Sequence, residues 1–230
     1  MPAVLVNTAT VLCGSLIGIL FRSRLSENLR NAVMKALGLC TALIGIQSAL
    51  GTQELLCVIL CMVLGTVIGE LLHIDDAIEH AGDAIKAKLP KGKAESGRFT
   101  EGFVSASILF CIGSMTIMGS LEAGIRHNYS IIYAKSMMDF VSSMAFGAAM
   151  GFGVSCSALF VLVFQGALTL LAGVIGGALS EAAVTEMSAV GGVILIGMAL
   201  NLLDCANERI RVANMLPAIF LPILWFAILK

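Results

Sequence analysis

Residues Tyr133–Met150 read YAKSMMDFVSSMAFGAAM. The stretch is apolar and rich in small residues, yet it holds Lys135 and Asp139 four positions apart. That spacing puts both side chains on one helix face, close enough to pair. What the pair means depends on the medium around it. Of the 230 residues, 58% are hydrophobic and only 13% are charged. The mean hydropathy is +0.97. A soluble domain carries about 25% charged and about 45–50% apolar residues. A short soluble chain has too much surface to hide such an apolar excess. The composition therefore specifies an integral membrane protein.

In hydrocarbon every backbone polar group must be satisfied within the chain, so spans are helices or closed barrels. The apolar runs here are long and do not alternate, which excludes a barrel. The expected fold is all-α: a polytopic helical membrane protein forming one integral membrane domain over residues 1–230. A span needs roughly 20 apolar residues. Eight stretches qualify, at about 3–21, 31–50, 54–72, 101–120, 129–151, 156–179, 184–203 and 213–229. A seven-span alternative merges or drops one span at the Gly/Ser-rich joint GFGVSCS (151–157). The first run lacks a basic leader and an A-x-A site, so it reads as a span and not a signal peptide.

Charge in the connections discriminates between the counts. RSRLSENLR after the first span has three arginines, the 73–98 loop has Lys86, Lys88, Lys91, Lys93 and Arg98, and DCANERIR has Arg209 and Arg211. The intervening connections GTQ, LEAGIRHN and SEAAVTE have one arginine between them. Lys/Arg excess marks the cytoplasmic side. Eight spans with both termini outside put all three basic connections there, and seven do not. In the long loop Ile74, Ile78, Ile85 and Leu89 fall on one helical face. This predicts a short amphipathic helix lying at the cytoplasmic interface, with His73 and His80 on a solvated surface.

Three stretches resemble one another: TATVLCGSLIGIL, VILCMVLGTVIGEL and GALTLLAGVIGGAL. Each carries two glycines four apart, Gly14/Gly18, Gly65/Gly69 and Gly173/Gly177. Small-xxx-small spacing lets helix backbones approach closely, so these are first of all packing residues. Their recurrence, with the later copy running opposite to the earlier ones, predicts internal repeats of inverted topology. Such repeats characterise transporters that bind solute near the bilayer midplane.

Asp139 lies about ten residues into its span, roughly 15 Å along the helix and so near mid-membrane. A charge there costs on the order of 2.5–3.5 kcal/mol on insertion scales. Pairing with Lys135 reduces that cost without abolishing it. Two readings are open: the pair neutralises itself and fixes helix register, or it lines a polar pathway. Asn7, Gln47, Glu70, Ser114, Thr116, Gln165, Asn201 and Asn214 also fall at membrane depth. Glu70, at a span end, reads as hydrated. Each of the others alone is read as interhelical hydrogen-bond glue. Together they predict a polar interior. FCIGSMTIMGSLEAG (110–124) has enough glycine and serine to break its helix, and Pro217 would free the carbonyl of Ala213 beside Asn214. Trp225 reads as an interface anchor.

The strings CIGSMTIMGSLEAG, KSMMDF, Gln165–Gly166, GMALNLL and RVANMLPA resemble the DUF554 (YqgA/YdfK-like) family of prokaryotic multi-span membrane proteins. The resemblance covers essentially the whole chain. It implies a protein of the bacterial cytoplasmic membrane with a transport role, and it supplies no substrate. Its matching positions are Asn7, Ser114, Lys135, Asp139, Gln165, Asn201 and Asn214. Ser114 stands where the family more often has proline.

The expected function is a secondary transporter or channel for a small solute or ion, with alternating access around Asp139. The candidate binding residues are Asp139, Lys135, Asn201, Gln165, Asn7, Asn214, Ser114 and Thr116. The alternative is a structural or regulatory membrane subunit using the 73–98 loop as its contact surface. An enzyme is not expected: there is no HExxH or GxSxG, and no histidine lies inside a span. No CxxC or Cys/His cluster calls for a metal or cofactor, and Cys57 and Cys61 read as small core residues. The net charge of −1 implies no nucleic-acid partner. The expected partners are the lipid bilayer and a small solute or ion. Small-residue faces permit a homo-oligomer.

Overall fold

The computed structural model describes residues 1–22, 26–78, 80, 99–112, 114–175, 180–205 and 208–229. Among these residues there is no strand. The helices are α1 (Pro2–Arg22), α2 (Glu27–Ala49), α3 (Leu55–Leu72), α4 (Phe99–Cys111), α5 (Ser114–Ile125), α6 (Ser130–Met150), α7 (Phe152–Ile175), α8 (Glu181–Leu203), a 3-10 helix (Val212–Phe220) and α9 (Leu221–Leu229).

Local chemistry accounts for the ends. α2 and α8 start at serine caps whose hydroxyls accept from Leu29 N and Ala183 N, with Glu27 and Glu181 in the first turn. These satisfy orphan N–H groups and oppose the helix dipole. α3 and α8 stop at His73 and Asp204, both in the left-handed conformation. α6 and α7 are separated by Gly151 alone, at φ 86°, a conformation glycine adopts without a Cβ penalty. The joint at 151–157 is therefore a one-residue corner between two helices, and α7 starts four residues earlier than the sequence predicts.

Close contacts give each helix a direction. Gly14 and Gly18 meet α6 at Phe140 and Met144, so α1 and α6 are parallel. Gly38 and Gly45 meet α8 at Leu203 and Gly192, so α2 and α8 are antiparallel. Gly65 and Gly69 meet the 3-10 helix at Ala218 and Asn214, again antiparallel. α7 runs beside α4 and then α5, with Gly153 against Phe99 and Gly124 against Thr169. α7 opposes α1, through Asn7 to Gln165 at one level and Ser15 to Ser155 at another. The described basic connections fall at one end. Five of these helices (α1, α2, α3, α7 and α8) are by themselves long and apolar enough to cross a membrane, six if the bent α4–α5 pair is one span. Many large apolar side chains on α1, α2 and α3 are exposed, as a lipid-facing surface requires. The chain is a polytopic helical membrane protein.

α8 is the central element. Of its apolar stretch, 72% is buried, against 22% for α2. α3 packs through one ridge of small residues at four-residue spacing, Cys57, Cys61, Gly65 and Gly69. Cys57 and Cys61 are buried with sulfurs 3.8 Å apart, in the core role expected of them. Gly177 and most of the predicted interfacial helix, including Ile85 and Leu89, lie outside the described residues. The described start of that helix departs from the expectation. Asp75 is buried and its N–H donates to Asn214 Oδ1 at 2.7 Å, while Ile78 packs on the main core. This turn is docked into the bundle because Asn214, at the start of the 3-10 helix, offers its backbone an acceptor.

Candidate functional site

The α4–α5 break makes the site. The axes of Phe99–Cys111 and Met115–Ile125 differ by 58°. The Thr116 hydroxyl donates to Phe110 O at 3.2 Å, six residues back, satisfying a carbonyl near the break. The bend expected from the glycine and serine content is present. Of the Ser114 side chain nothing is described.

Opposite the break, Lys135 Nζ donates to Asp139 Oδ2 within α6. Only 8% and 11% of the two side chains is exposed. Asp139 is the tenth of the 21 residues of α6, near its midpoint. The pair faces a cavity of about 500 Å³, within the ~300–1,000 Å³ range of small-molecule sites. Its polar lining adds Thr116, Gln47, Ser142 and Ser188, and its apolar lining includes Leu109, Ile112, Met138 and Leu195. Gly51 and Thr185 also line it, so it extends to the end of the bundle opposite the basic connections.

Behind the pair, Asn7 and Gln165 are fully buried. Asn7 Nδ2 donates to Gln165 Oε1 at 3.1 Å. The Asn7 amide also faces the Asp139 carboxylate. Asn7 Oδ1 and Gln165 Nε2 have no hydrogen-bond partner. The amides thus couple α1, α6 and α7 without entering the cavity wall.

Two candidates lie elsewhere. Asn201 is two residues from the end of α8, where its amide donates to Ile210 O at 2.8 Å and accepts from Ile210 N at 2.9 Å. It closes the connection to the 3-10 helix like a backbone strand partner, and it does not line the cavity beside Lys135 and Asp139. Asn214 is at the same end and binds the Asp75 backbone. A span table places both at membrane depth, but they sit where a helix stops and leaves its backbone polar groups to be satisfied.

Gln47, Ser142 and Ser188 were not among the candidates. Ser142 could have been found, because it is three residues from Asp139 and seven from Lys135, on the same helix face. Glu186 was also missed. It is 1% exposed and accepts from Thr52 Oγ1 at 2.6 Å, Gln53 N at 2.7 Å and Glu54 N at 3.1 Å. A carboxylate on α8 thus caps the start of α3. In the sequence it looks like one more acid in a hydrated connection. Trp225 joins this level through Nε1 to Glu54 Oε2 at 3.0 Å.

The fold and site define a helical membrane protein with a partly open, largely apolar cavity whose wall carries a Lys–Asp pair. The chain belongs to the family described as "Protein of unknown function (DUF554)", whose model matches residues 2–227. It is similar to the "Uncharacterized membrane protein YdfK" of Bacillus subtilis (strain 168), 26% identical over 222 residues, covering 94% of this chain and 91% of that protein. It is also similar to the "Uncharacterized protein YqgA" of Escherichia coli (strain K12), 30% identical over 220 residues, covering 94% and 92%. No solved structure matches the chain.

Proposed function

We propose that this protein is a secondary transporter for a small polar solute, with Lys135 and Asp139 at its binding site and the basic end of the bundle in the cytoplasm. The observation that carries the reading is the cavity. A membrane protein that only needs to neutralise a buried ion pair has no use for an aqueous-sized space beside it, lined by hydroxyls and an amide. A second cavity of about 420 Å³ lies nearer the basic end, lined by Ile78, Phe103, Ile108, Phe164 and Phe220. Ile112, at the α4–α5 break, lines both cavities. Its side chain occupies the space a Cβ on Gly191 would take. A seal of apolar side chains below a polar site, at a bent helix, is what alternating access requires. Binding and passage need no catalytic group, so we read the protein as a non-enzyme.

The test is a thermal-stability screen of the purified protein against ions, sugars, amino acids and organic acids, beside Asp139→Asn. A solute at about 100 times its Kd adds about 2.7 kcal/mol to the native state. We expect at least one solute to stabilise the wild type and not the variant, and to enter proteoliposomes carrying the wild type. If no solute stabilises the wild type and none enters, transport is wrong and the membrane-subunit alternative takes its place.

A further inference from the structure

We propose that the solute is a small zwitterion of the amino-acid type, its carboxylate held at Lys135 and its ammonium at Asp139. This inference rests on the transport reading and narrows it. The argument is charge balance in a buried site. The Lys135 ammonium and Asp139 carboxylate are in contact, so the cavity wall carries both signs and no net charge. A lone cation drawn to Asp139 meets the Lys135 ammonium beside it. A lone anion drawn to Lys135 meets the Asp139 carboxylate. Either one leaves the membrane interior with an unbalanced charge, which is the costly state. A solute with both charges finds an opposite partner for each and leaves the sum at zero.

The hydrogen-bonding capacity fits. An ammonium has three N–H donors, and Asp139 is the one acceptor Lys135 reaches among the described residues. Two donors remain for a ligand carboxylate. Asp139 accepts from Lys135 at one oxygen, and a carboxylate's further lone pairs can accept from a ligand ammonium. The rest of the wall divides into hydroxyls, at Thr116, Ser142 and Ser188, and apolar side chains, at Ile112, Met138 and Leu195. That division suits a solute with a charged head and a short tail. The buried Asn7–Gln165 pair lies behind the carboxylate, with the Asn7 amide facing it.

The test uses matched probes. Glycine, alanine and leucine are each compared with the carboxylic acid that lacks the amine and the amine that lacks the carboxylate. Binding to the detergent-purified full chain is measured by calorimetry and thermal shift. We expect one or more zwitterions to bind at least tenfold more tightly than either single-charge analogue. In Asp139→Asn the preference for the amino acid over its carboxylic acid should disappear. In Lys135→Met the preference over its amine should disappear. Ser142→Leu, which leaves the pair intact and fills the cavity, should weaken every probe and guards against a charge variant that fails to fold. A single-charge analogue that binds as tightly as its parent, and is weakened by Ser142→Leu, overturns the zwitterion and leaves the transport site standing. Failure of every probe here and of every solute in the wider screen overturns both.

Discussion

At the scale of single residues, the molecule separates polar groups that are satisfied from those left facing a space. Lys135 and Asp139 are a buried pair, and removing one member of such a pair commonly costs about 3–5 kcal/mol because its partner stays behind uncompensated. Lys135→Met and Asp139→Leu should each lower stability by this order. The double variant should be more stable than either single, as read by chemical unfolding in mixed micelles. A double variant as unstable as the sum of the singles would mean that the two side chains are not coupled. Glu186 is the contrasting case. Its carboxylate is satisfied by three donors at the start of α3, so its role is structural. Glu186→Ala strands buried donors, at about 1–3 kcal/mol, and should lower the melting temperature without altering which solutes bind. Loss of solute selectivity in that variant would move the binding site toward α3.

At the scale of elements, glycine positions decide how the helices meet. A Cβ on Gly18 would strike the Met144 carbonyl, and one on Gly69 the Asn214 carbonyl. Backbone cannot yield as a flexible side chain can, so α1 and α3 would have to move off their partners. Overpacking of this kind costs typically about 1–3 kcal/mol. Gly18→Ala and Gly69→Ala should therefore destabilise the protein by at least that range, and leucine at either position should prevent a monodisperse preparation. Gly166 is the control, since its nearest neighbour to an added Cβ is the Met1 side-chain end at 3.9 Å. Gly166→Ala should be neutral or stabilising by about 0.5–1 kcal/mol. Size-exclusion profiles and melting curves of the three alanine variants check the contrast. Equal effects at all three positions would remove close backbone contact as the explanation. The glycine spacing was legible in the sequence, because a four-residue period of small residues has few other uses in a membrane helix. Which helix each ridge would meet was not legible. Gly14/Gly18 and Gly65/Gly69 look alike in the sequence, yet one ridge packs on an α-helix running parallel and the other on a 3-10 helix running antiparallel.

At the scale of the whole molecule, the charge of the connections yields a testable topology, with the basic end of the bundle in the cytoplasm. With the seven native cysteines replaced, His127→Cys and Glu208→Cys should label from opposite sides of the membrane. Both positions are exposed, and they lie at opposite ends of the bundle. A membrane-impermeant maleimide should reach position 127 in intact cells and position 208 only in inverted vesicles. Labelling of both from the same side would refute the eight-pass topology.

Composition, the length of the apolar runs and the placement of Lys and Arg determined by themselves that this is a polytopic helical membrane protein. Those are one-dimensional quantities. The bilayer reads them directly, because it tests every segment for length, apolarity and flanking charge before any helix meets another. The Lys135–Asp139 pair was legible for the same reason, since both members lie on one helix at fixed spacing. Convergence of different helices on a common space leaves no such trace. Only the tertiary structure set Thr116 of α5, Gln47 of α2 and Ser188 of α8 around that pair. It also sent Asn201 and Asn214 to the basic end, where unpaired backbone had first claim on them.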